Sequence, residues 1–400
     1  AWVSMEWLRC QFTLGFPWCP LSVTQWERPV LLQTAQWLGS WGVSFFLVLF
    51  NLCLCSYVHH LLVRRRESSG GILGNICPDF YLAIIVFVFM VSPFFLFKKQ
   101  TTGEKVEFQV GLCQPYLMEK WKGGNAGIHK DTLKRQTRFL GLMNPDLIVW
   151  PEASTPYALN QDSAWVEELS NQTQIPLLIG AVWKGEGSIH NTISEVLPEA
   201  GVQDNWYAKR VLVPFGEYVP FPFKWIPGVR KLVGPVGSFK EGSEVKTFSV
   251  HSKKNEDSTL KIGPLICYED IFPRLCRETA LAGVDLFFVT TNDAWFGREG
   301  CAEQHAAHSV LRAIETQRPF LRCGNAGWSG WIDSNGYQRE VLRNEEGSIY
   351  FEGATTLSIT ITPNQFSKAS FYVRYGDWFA YMCVILTLAS LPFVLRKKRN

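Results

Sequence analysis

Three side chains in this sequence have the types that a nucleophilic acyl-transfer site requires, and each closes or follows a short apolar run. They are a carboxylate, an ammonium and a thiol, at Glu152, Lys209 and Cys267. In such chemistry a thiolate attacks a carbonyl carbon, a carboxylate takes the thiol proton, and a lysine stabilises the thiolate and the oxyanion. We therefore predict that these three residues form a catalytic triad.

Each of the three residues also has a plainer interpretation. Cys267 could equally be a core residue at the end of a strand. Glu152 could be a surface carboxylate, and Lys209 with Arg210 could form a solvated pair on an edge strand. However, alternation along a strand places one of these two bases on the buried side, where a lysine needs a carboxylate partner. We expect Glu152 to be that partner.

Apolar runs alternate with helical patterns through the middle of the chain and would position these residues. The predicted strands are Val106–Cys113, Asp146–Trp150, Pro176–Val182, Thr192–Leu197, Val245–Val250, Leu260–Cys267, Leu286–Thr290, Phe320–Cys323 and Thr356–Ile361. The predicted helices are Ile128–Met143, Ser163–Thr173, Arg274–Ala282 and Ala302–Thr316. This mixture indicates a layered α/β domain with a largely buried sheet.

Further candidate residues lie outside these elements. We expect Glu217 to orient the base or the lysine, and Glu269 either to support the site or to face solvent. The segment Asn292–Gly297 (Asn-Asp-Ala-Trp-Phe-Gly) follows a predicted strand and so lies at a sheet edge, where functional sites form. Loop 214–240 is rich in Pro, Gly and aromatic residues, which is typical of a functional or mobile loop. The side chains in it that we predict to contact lipid are Phe221, Phe223, Trp225 and Ile226.

Uncharged apolar stretches at residues 37–58, 80–97 and 378–395 flank the middle of the chain. Each is long enough to cross a hydrocarbon core of about 30 Å as a helix. We predict three regions: a membrane domain over residues 1–100 with an interfacial segment at 1–36, a water-soluble catalytic domain over 101–376, and a transmembrane helix with a basic tail over 377–400.

Basic clusters predict the orientation of these spans. Arg64–Arg66 lies between the first two spans, and Arg396–Arg399 follows the last. The positive-inside rule places both clusters in the cytoplasm and therefore the catalytic domain on the opposite side, although Lys98-Lys99 opposes this weakly. The net charge of +3, without a basic stripe, argues against a nucleic-acid partner.

The eleven cysteines and seven histidines show no spacing typical of a metal site. The cysteines do not form a disulfide framework either. The sequence therefore predicts neither a metal nor a cofactor. His190, His305 and His308 show no arrangement for a Cys–His dyad, which disfavours a papain-like site.

Several motifs resemble those of the apolipoprotein N-acyltransferases, the membrane-bound family of the carbon–nitrogen hydrolase (nitrilase) superfamily. The motifs shared with the superfamily are Trp150-Pro-Glu152, Lys209-Arg-Val-Leu-Val-Pro-Phe-Gly-Glu217 and Ile266-Cys-Tyr-Glu-Asp270. Those more specific to the family are Glu6-Trp-Leu-Arg9, Thr13-Leu-Gly-Phe-Pro-Trp18, Asn292-Asp-Ala-Trp-Phe-Gly297, Gln304-His305, Arg312-Ala-Ile-Glu315, Arg318-Pro319 and Arg322-Cys-Gly-Asn-Ala-Gly327. The resemblance runs from the first residues to the last span.

This resemblance implies a nitrilase-like αββα sandwich inserted between transmembrane helices. It gives the nucleophile, base and lysine roles to the three residues named first. It also implies that the backbone N–H of Tyr268 and Lys209 binds the oxyanion, that Glu217 is a supporting glutamate, and that Trp121 belongs to a mobile arm. Glu269 is a further candidate for support that does not come from the resemblance.

The resemblance also implies a reaction and a location. An acyl chain passes from a membrane phospholipid, through a Cys267 thioester, to the N-terminal cysteine α-amine of a diacylglyceryl apolipoprotein. The location is the bacterial inner membrane, with the catalytic domain on the periplasmic face. Two alternatives stay open: a membrane-tethered amidase or nitrilase, and a catalytically impaired, N-terminally truncated homologue that binds lipoproteins. The second arises because family members carry additional spans before Glu6-Trp-Leu-Arg9.

Overall fold

The computed structural model describes residues 1–11, 15–63, 77–96, 105–117, 125–226, 228, 239–255, 257–361 and 369–397. Trp121 and the cluster Arg64–Arg66 lie outside these ranges. The chain divides into two compact units: residues 1–100 with 370–400 form the first, and residues 101–369 form the second.

The helices, in chain order, are α1 (Trp2–Gln11), α2 (Ala35–Val63), α3 (Pro78–Leu96), α4 (Ala126–Leu142), α5 (Ala164–Thr173), α6 (Pro273–Leu281), α7 (Cys301–Thr316), α8 (Phe371–Tyr375) and α9 (Trp378–Lys397). The strands are β1 (Val106–Gln114), β2 (Leu147–Trp150), β3 (Leu177–Gly185), β4 (Ser188–Leu197), β5 (Gly201–Ala208), β6 (Phe248–His251), β7 (Thr259–Ile266), β8 (Leu286–Thr291), β9 (Phe320–Gly324), β10 (Gly330–Ile332), β11 (Gln338–Val341) and β12 (Gly353–Ile361).

The first unit is helical, and α2 and α3 are long and apolar enough to cross a membrane. Helix α2 contains the predicted span 37–58, and α3 contains the predicted span 80–97 as far as residue 96, the last described residue before the gap. The third predicted span lies in α9, where the apolar stretch Trp378–Phe393 is shorter. Helix α2 is kinked at Gly39, whose φ of +67° suits glycine.

One carboxylate, that of Asp377, joins several elements of this first unit. It accepts hydrogen bonds from the indole N–H groups of Trp7 and Trp41, each at 2.9 Å, and from the Tyr372 hydroxyl at 2.7 Å. An ionised acceptor makes stronger hydrogen bonds than a neutral one. Asp377 therefore ties α1, α2 and α8 together just before α9 begins.

The second unit contains two six-stranded sheets in its described part. Their strand orders are β12-β1-β2-β3-β4-β5 and β11-β10-β9-β8-β7-β6. The central strands β1, β2 and β3 run parallel, as do β7, β8 and β9, and the outer pairs are antiparallel. Because parallel strands end at the same edge of a sheet, residues that follow β2 and β7 lie at carboxyl edges.

The two sheets pack face to face around one apolar core. Phe108 and Val149 from the first sheet share this core with Ile262 and Phe288 from the second. Helices α4 and α5 cover the outer face of the first sheet, and α6 and α7 pack against the second. This order of layers is the predicted αββα sandwich, which is confirmed.

Candidate active site

Lys209 follows β5 and is fully buried between two carboxylates. Its ammonium Nζ lies 2.9 Å from Glu217 Oε1 and 3.4 Å from Glu152 Oε1. Burial lowers the pKa of Lys209, but Glu217 and Glu152 raise it by more, so the pKa is raised overall and the ammonium stays charged. The predicted pairing of Lys209 with Glu152 is observed, and the solvated alternative is wrong. Glu217 makes the shorter contact.

The two acids are held by further donors. The side-chain amide of Asn191, on β4, donates to Glu152 Oε1 at 2.7 Å and to Glu217 Oε1 at 3.1 Å. The second oxygen of Glu217 accepts the backbone N–H of Val213 at 2.8 Å. Since the side chains of Glu152 and Glu217 are only 10% and 12% exposed, these donors offset the cost of desolvating their charge. Asn191 was not predicted, because no sequence signal separates it from other strand polar residues.

Cys267 begins a tight turn, Cys267–Ile271, immediately after β7. Its φ is +50°, a left-handed conformation that costs a non-glycine residue on the order of 1–2 kcal/mol. A sharp strand-to-turn exit of this kind presents a nucleophile beyond the sheet edge. Burial raises the pKa of the Cys267 thiol well above its usual value; Glu152 raises it further, and Lys209 opposes both. The resting thiol is therefore protonated and needs a base.

Glu269 is fully buried, so the solvent-facing alternative is wrong. Its Oε1 accepts the backbone N–H of Arg210 at 2.6 Å, and its Oε2 accepts that of Ile266 at 2.7 Å and the hydroxyl of Tyr207 at 2.8 Å. Glu269 thus fastens the chain after Lys209 to the chain before Cys267. These hydrogen bonds fix the distance between the segments that carry Lys209 and Cys267.

One expectation about the oxyanion donors is corrected. The backbone N–H of Lys209 donates to the carbonyl of Asn191 at 2.9 Å, as part of the sheet edge, and is not available to an oxyanion. The backbone N–H of Tyr268 follows the nucleophile directly and stays our predicted donor. The Tyr268 ring itself is buried and packs edge-on against Phe272, with the centroids 4.9 Å apart.

A histidine that sequence reasoning did not place in the site lies against the nucleophile turn. His305, on α7, is buried; its Nε2 lies 3.2 Å from the carbonyl oxygen of Cys267 and 2.9 Å from Asp270 Oδ1. Its Nδ1 lies 2.8 Å from Asp293 Oδ1. The signal available in the sequence was the polar segment Asn292–Gly297, which supplies Asp293. His308 is buried one turn further along α7.

Cys267, Asp293 and His305 each offer one ligand atom within 4.8 Å of the others, a grouping that could reach one metal ion. However, both ring nitrogens of His305 face carboxylate oxygens, so both must carry protons to donate. A protonated ring nitrogen has no lone pair for a metal. We assign no metal to these residues.

The aromatic loop, residues 214–240, is described at 214–226, 228 and 239–240. Phe221 and Trp225 are 59% and 70% exposed, and their rings pack edge-on with centroids 4.9 Å apart. Phe223 packs against Phe215 at 5.3 Å. Exposed aromatic side chains of this size are typical of lipid or partner contact. Contact of this loop with lipid stays a prediction, and Trp121 lies outside the described residues.

Comparison with known proteins shows that this chain belongs to the carbon–nitrogen hydrolase family. The carbon–nitrogen hydrolase family model matches residues 111–357, which include Glu152, Lys209 and Cys267. The model of the apolipoprotein N-acyltransferase N-terminal domain matches residues 1–53. A solved CN-hydrolase superfamily protein from Xanthomonas campestris is 17% identical, covers 68% of this chain and 95% of that chain, and has a TM-score of 0.46.

Two relatives identify the particular family within the carbon–nitrogen hydrolases. The apolipoprotein N-acyltransferase of Geobacter metallireducens is 29% identical over 99% of this chain and 73% of its own length. That of Allorhizobium ampelinum is 30% identical over 92% of this chain and 68% of its own length. This chain belongs to the apolipoprotein N-acyltransferase family.

Proposed function

We propose that the chain transfers a fatty acyl chain from a membrane phospholipid to the α-amine of the N-terminal cysteine of a diacylglyceryl apolipoprotein. The observation that carries the proposal is that Cys267, at the end of β7 in one sheet, meets Glu152 and Lys209, which follow β2 and β5 in the other sheet, in a chain of this family. A thiol suits transfer between two lipids because it holds the acyl group while the first product leaves and the acceptor enters.

The first half of the reaction forms a thioester. The Cys267 sulfur attacks the ester carbonyl carbon of the phospholipid as Glu152 accepts the thiol proton, since the resting thiol is protonated. Negative charge develops on the carbonyl oxygen, where the Tyr268 backbone N–H and the Lys209 ammonium stabilise it. The ester C–O bond then breaks, and the departing lysophospholipid oxygen takes the proton from Glu152.

The second half forms the amide. The acceptor amine attacks the thioester carbonyl, and Glu152 takes a proton from the nitrogen. The C–S bond breaks as the amide C–N bond forms, and the Cys267 sulfur recovers its proton. One thiol serves both halves, so the donor and acceptor occupy the site in turn and the kinetics are ping-pong.

The location follows from the same assignment. Both substrates are lipids, and the helices α2 and α3 are of the length and apolarity that a membrane anchor needs. The basic clusters favour a multi-pass protein of the inner membrane with its catalytic domain on the periplasmic face. A lipoprotein acceptor anchored in the outer leaflet would then meet the site without crossing the membrane.

Intact-protein mass measurement after incubation with phospholipid vesicles tests the proposal. We expect a fatty-acyl adduct on the Cys267 peptide, and its loss when a diacylglyceryl lipopeptide is added. Cys267→Ala should abolish adduct and transfer, and Cys267→Ser should nearly do so because a hydroxyl ionises far less readily. Glu152→Ala should prevent the adduct from forming. Cys301→Ser, at the half-buried first residue of α7, is the matched control and should retain both.

Two results would count against the proposal. One is a Cys267→Ala protein that still N-acylates the lipopeptide. The other is wild-type kinetics in which lysophospholipid appears only when both lipids are bound. Release of free fatty acid or ammonia, with no lipopeptide product, would instead identify a hydrolase or an amidase.

A further inference from the structure

A cluster of buried charged side chains lies directly behind the Cys267 turn, and none of the acyl-transfer steps uses it. His305 is at its centre, with Asp293 on one side and Asp270 on the other. The second oxygen of Asp270 accepts a hydrogen bond from Ser309 at 2.5 Å and pairs with the guanidinium of Arg322. All five side chains are at least 98% buried. Burying this much charge is costly unless every member is paired.

The hydrogen bonds fix the protonation of His305. Its two ring nitrogens face carboxylate oxygens at 2.8 and 2.9 Å, and a carboxylate can only accept. A neutral imidazole has a single N–H, so one lone pair would then oppose a carboxylate at contact distance. Asp270 stays ionised because Arg322 and Ser309 also donate to it. The imidazole is therefore a cation. The two cations, His305 and Arg322, balance the charges of the two anions, Asp270 and Asp293.

The same imidazolium reaches the nucleophile. The N–H at Nε2 is shared between Asp270 and the backbone carbonyl oxygen of Cys267, 3.2 Å away. That carbonyl belongs to the residue whose backbone is left-handed, with φ of +50°. A strained conformation persists only where the surroundings hold it. His305, on helix α7 in the outer layer of the sandwich, contacts this carbonyl.

We propose that His305 is a positioning residue for acyl transfer: a cation held between Asp270 and Asp293, it fixes the carbonyl of Cys267 and so the turn that presents the thiol. This rests on the proposed role of Cys267 as the nucleophile. His305 does not act as the base of the thiol, because both of its nitrogens already carry protons.

A second consequence concerns charge beside the thiol. A carboxylate oxygen of Asp293 lies within 4.8 Å of Cys267 Sγ, and its Oδ2 is buried without a hydrogen-bond partner among the described residues. Asp293 raises the pKa of the thiol, after burial and Glu152. The imidazolium lies against Asp293 and offsets this charge. Among the described residues, the charged groups that act on the pKa of His305 are Asp270, Asp293 and Arg322, and this pKa is raised to about 9 because the two acids outweigh burial and the arginine.

The test is the pH dependence of Cys267 alkylation by iodoacetamide, read by mass spectrometry of the Cys267 peptide in the full-length, detergent-purified protein. His305→Gln keeps a polar side chain but removes the cation, so Asp293 acts on the thiol without compensation. We expect the inflection point of the curve of alkylation rate against pH to move up by about one pH unit or more. We also expect kcat to fall on the order of 100-fold, with KM changed less because His305 touches no substrate.

Two further variants separate positioning from general packing. His308→Gln, buried on the same helix, should keep the wild-type alkylation profile and kcat. Asp293→Asn keeps the acceptor oxygen for His305 but removes the charge, so its inflection should move down, opposite to that of His305→Gln. Opposite shifts support the proposal even if His305→Gln folds poorly and must be measured at low temperature.

The proposal is overturned if His305→Gln keeps the wild-type alkylation profile and kcat, or if His308→Gln loses as much as His305→Gln. Failure of the proposed function is a separate result: a Cys267→Ala protein that still transfers acyl chains. Alkylation needs no lipid substrate, so the two failures are distinguished.

Discussion

At the scale of single residues, the site pairs the Lys209 ammonium with carboxylates and not with a Cys267 thiolate. Lys209 is enclosed by Glu152 and Glu217, while Cys267 keeps its proton because burial and Glu152 outweigh the lysine. A lysine committed to two acids cannot hold a permanent thiolate. We therefore expect the thiolate to form only as the thiol attacks.

The residues with a chemical signature could be predicted, and those without one could not. The acid, lysine and thiol of the triad follow motifs, and so does Glu217. Asn191 has no such signal, and the motif Gln304-His305 did not indicate a place in the site, because the contacts of both residues come from strand pairing and helix packing. The pairing of β3, β4 and β5 delivers Asn191 to the acids, and α7 delivers His305 to a turn 38 residues away in sequence.

Replacement of Lys209 by arginine should remove most activity although the charge is kept. The ammonium fits between two carboxylate oxygens in a closed space, and a planar guanidinium is larger and makes contacts of a different shape. We expect kcat/KM to fall at least about 100-fold in a lipopeptide acylation assay. Lys130→Arg, in a partly exposed pair with Asp162 at 2.8 Å, is the control and should behave as wild type. Turnover within about twofold of wild type in the Lys209 variant would place this lysine outside the site.

Stability should depend on pH through His305. Its pKa is about 9 in the folded protein against 6.5 in the unfolded chain, so its contribution is complete below pH 6.5 and disappears as the pH rises through 9. A difference of this size corresponds to about 3 kcal/mol. The difference in Tm between wild type and His305→Gln should therefore shrink steadily from pH 6.5 to 9.5 in a thermal scan in detergent. A constant difference over that range contradicts a buried imidazolium.

At the scale of elements, the strand and helix patterns were predicted more accurately than the short connections. Each predicted strand and helix has an observed counterpart, because burial on both faces gives continuous apolar runs and the helices have clear stops. β10 and β11 were not predicted, since runs of three and four residues carry too little pattern. The apolar run Trp206–Pro214, which contains Lys209, also predicts a strand, but it is strand only as far as Ala208, the end of β5, where the chain turns to deliver Lys209.

The approach of β3 to the Glu152 turn leaves no room for a side chain at Gly180. An added Cβ would lie against the carbonyl oxygen of Pro151 and 2.7 Å from the Glu152 Cα, and backbone atoms cannot rotate aside. Gly180→Ala should therefore displace Glu152, lower kcat roughly 10- to 100-fold and destabilise the fold by about 1–3 kcal/mol. Gly127→Ala, on α4 with nothing within 4 Å, is the control. Equal kcat and Tm in the two variants would show that the turn accommodates a methyl group.

The aromatic loop should matter for lipid transfer and not for the thiol. Phe221→Ser with Trp225→Ser removes two exposed rings that contact each other, and we expect roughly tenfold slower transfer from phospholipid vesicles. Alkylation of Cys267 should not change. Phe139→Ser with Leu142→Ser, exposed apolar residues on α4, is the matched control. Unchanged vesicle activity in the loop variant would limit the loop to a structural role.

At the scale of the whole chain, the hydropathy of the sequence predicts the membrane helices, and its basic clusters predict their orientation. Uncharged stretches predict α2 and α3, because only apolar side chains can face hydrocarbon without cost. The sequence could not predict that Asp377 binds two tryptophans and a tyrosine from distant segments, since those pairings depend on tertiary packing. The side of the membrane on which the catalytic unit lies stays a prediction from the basic clusters.

Cysteine labelling on intact spheroplasts tests that orientation. In a background that lacks the exposed thiols Cys19 and Cys55, Lys254→Cys places a thiol in the exposed turn between β6 and β7, and Asn400→Cys places one at the C-terminus. An impermeant maleimide should label the first site at once and the second only after detergent is added, because two basic clusters outweigh Lys98-Lys99 in setting the orientation. The reverse pattern would put the catalytic unit in the cytoplasm. It would also separate Cys267 from a lipoprotein α-amine in the outer leaflet, and the acceptor that we propose would then be wrong.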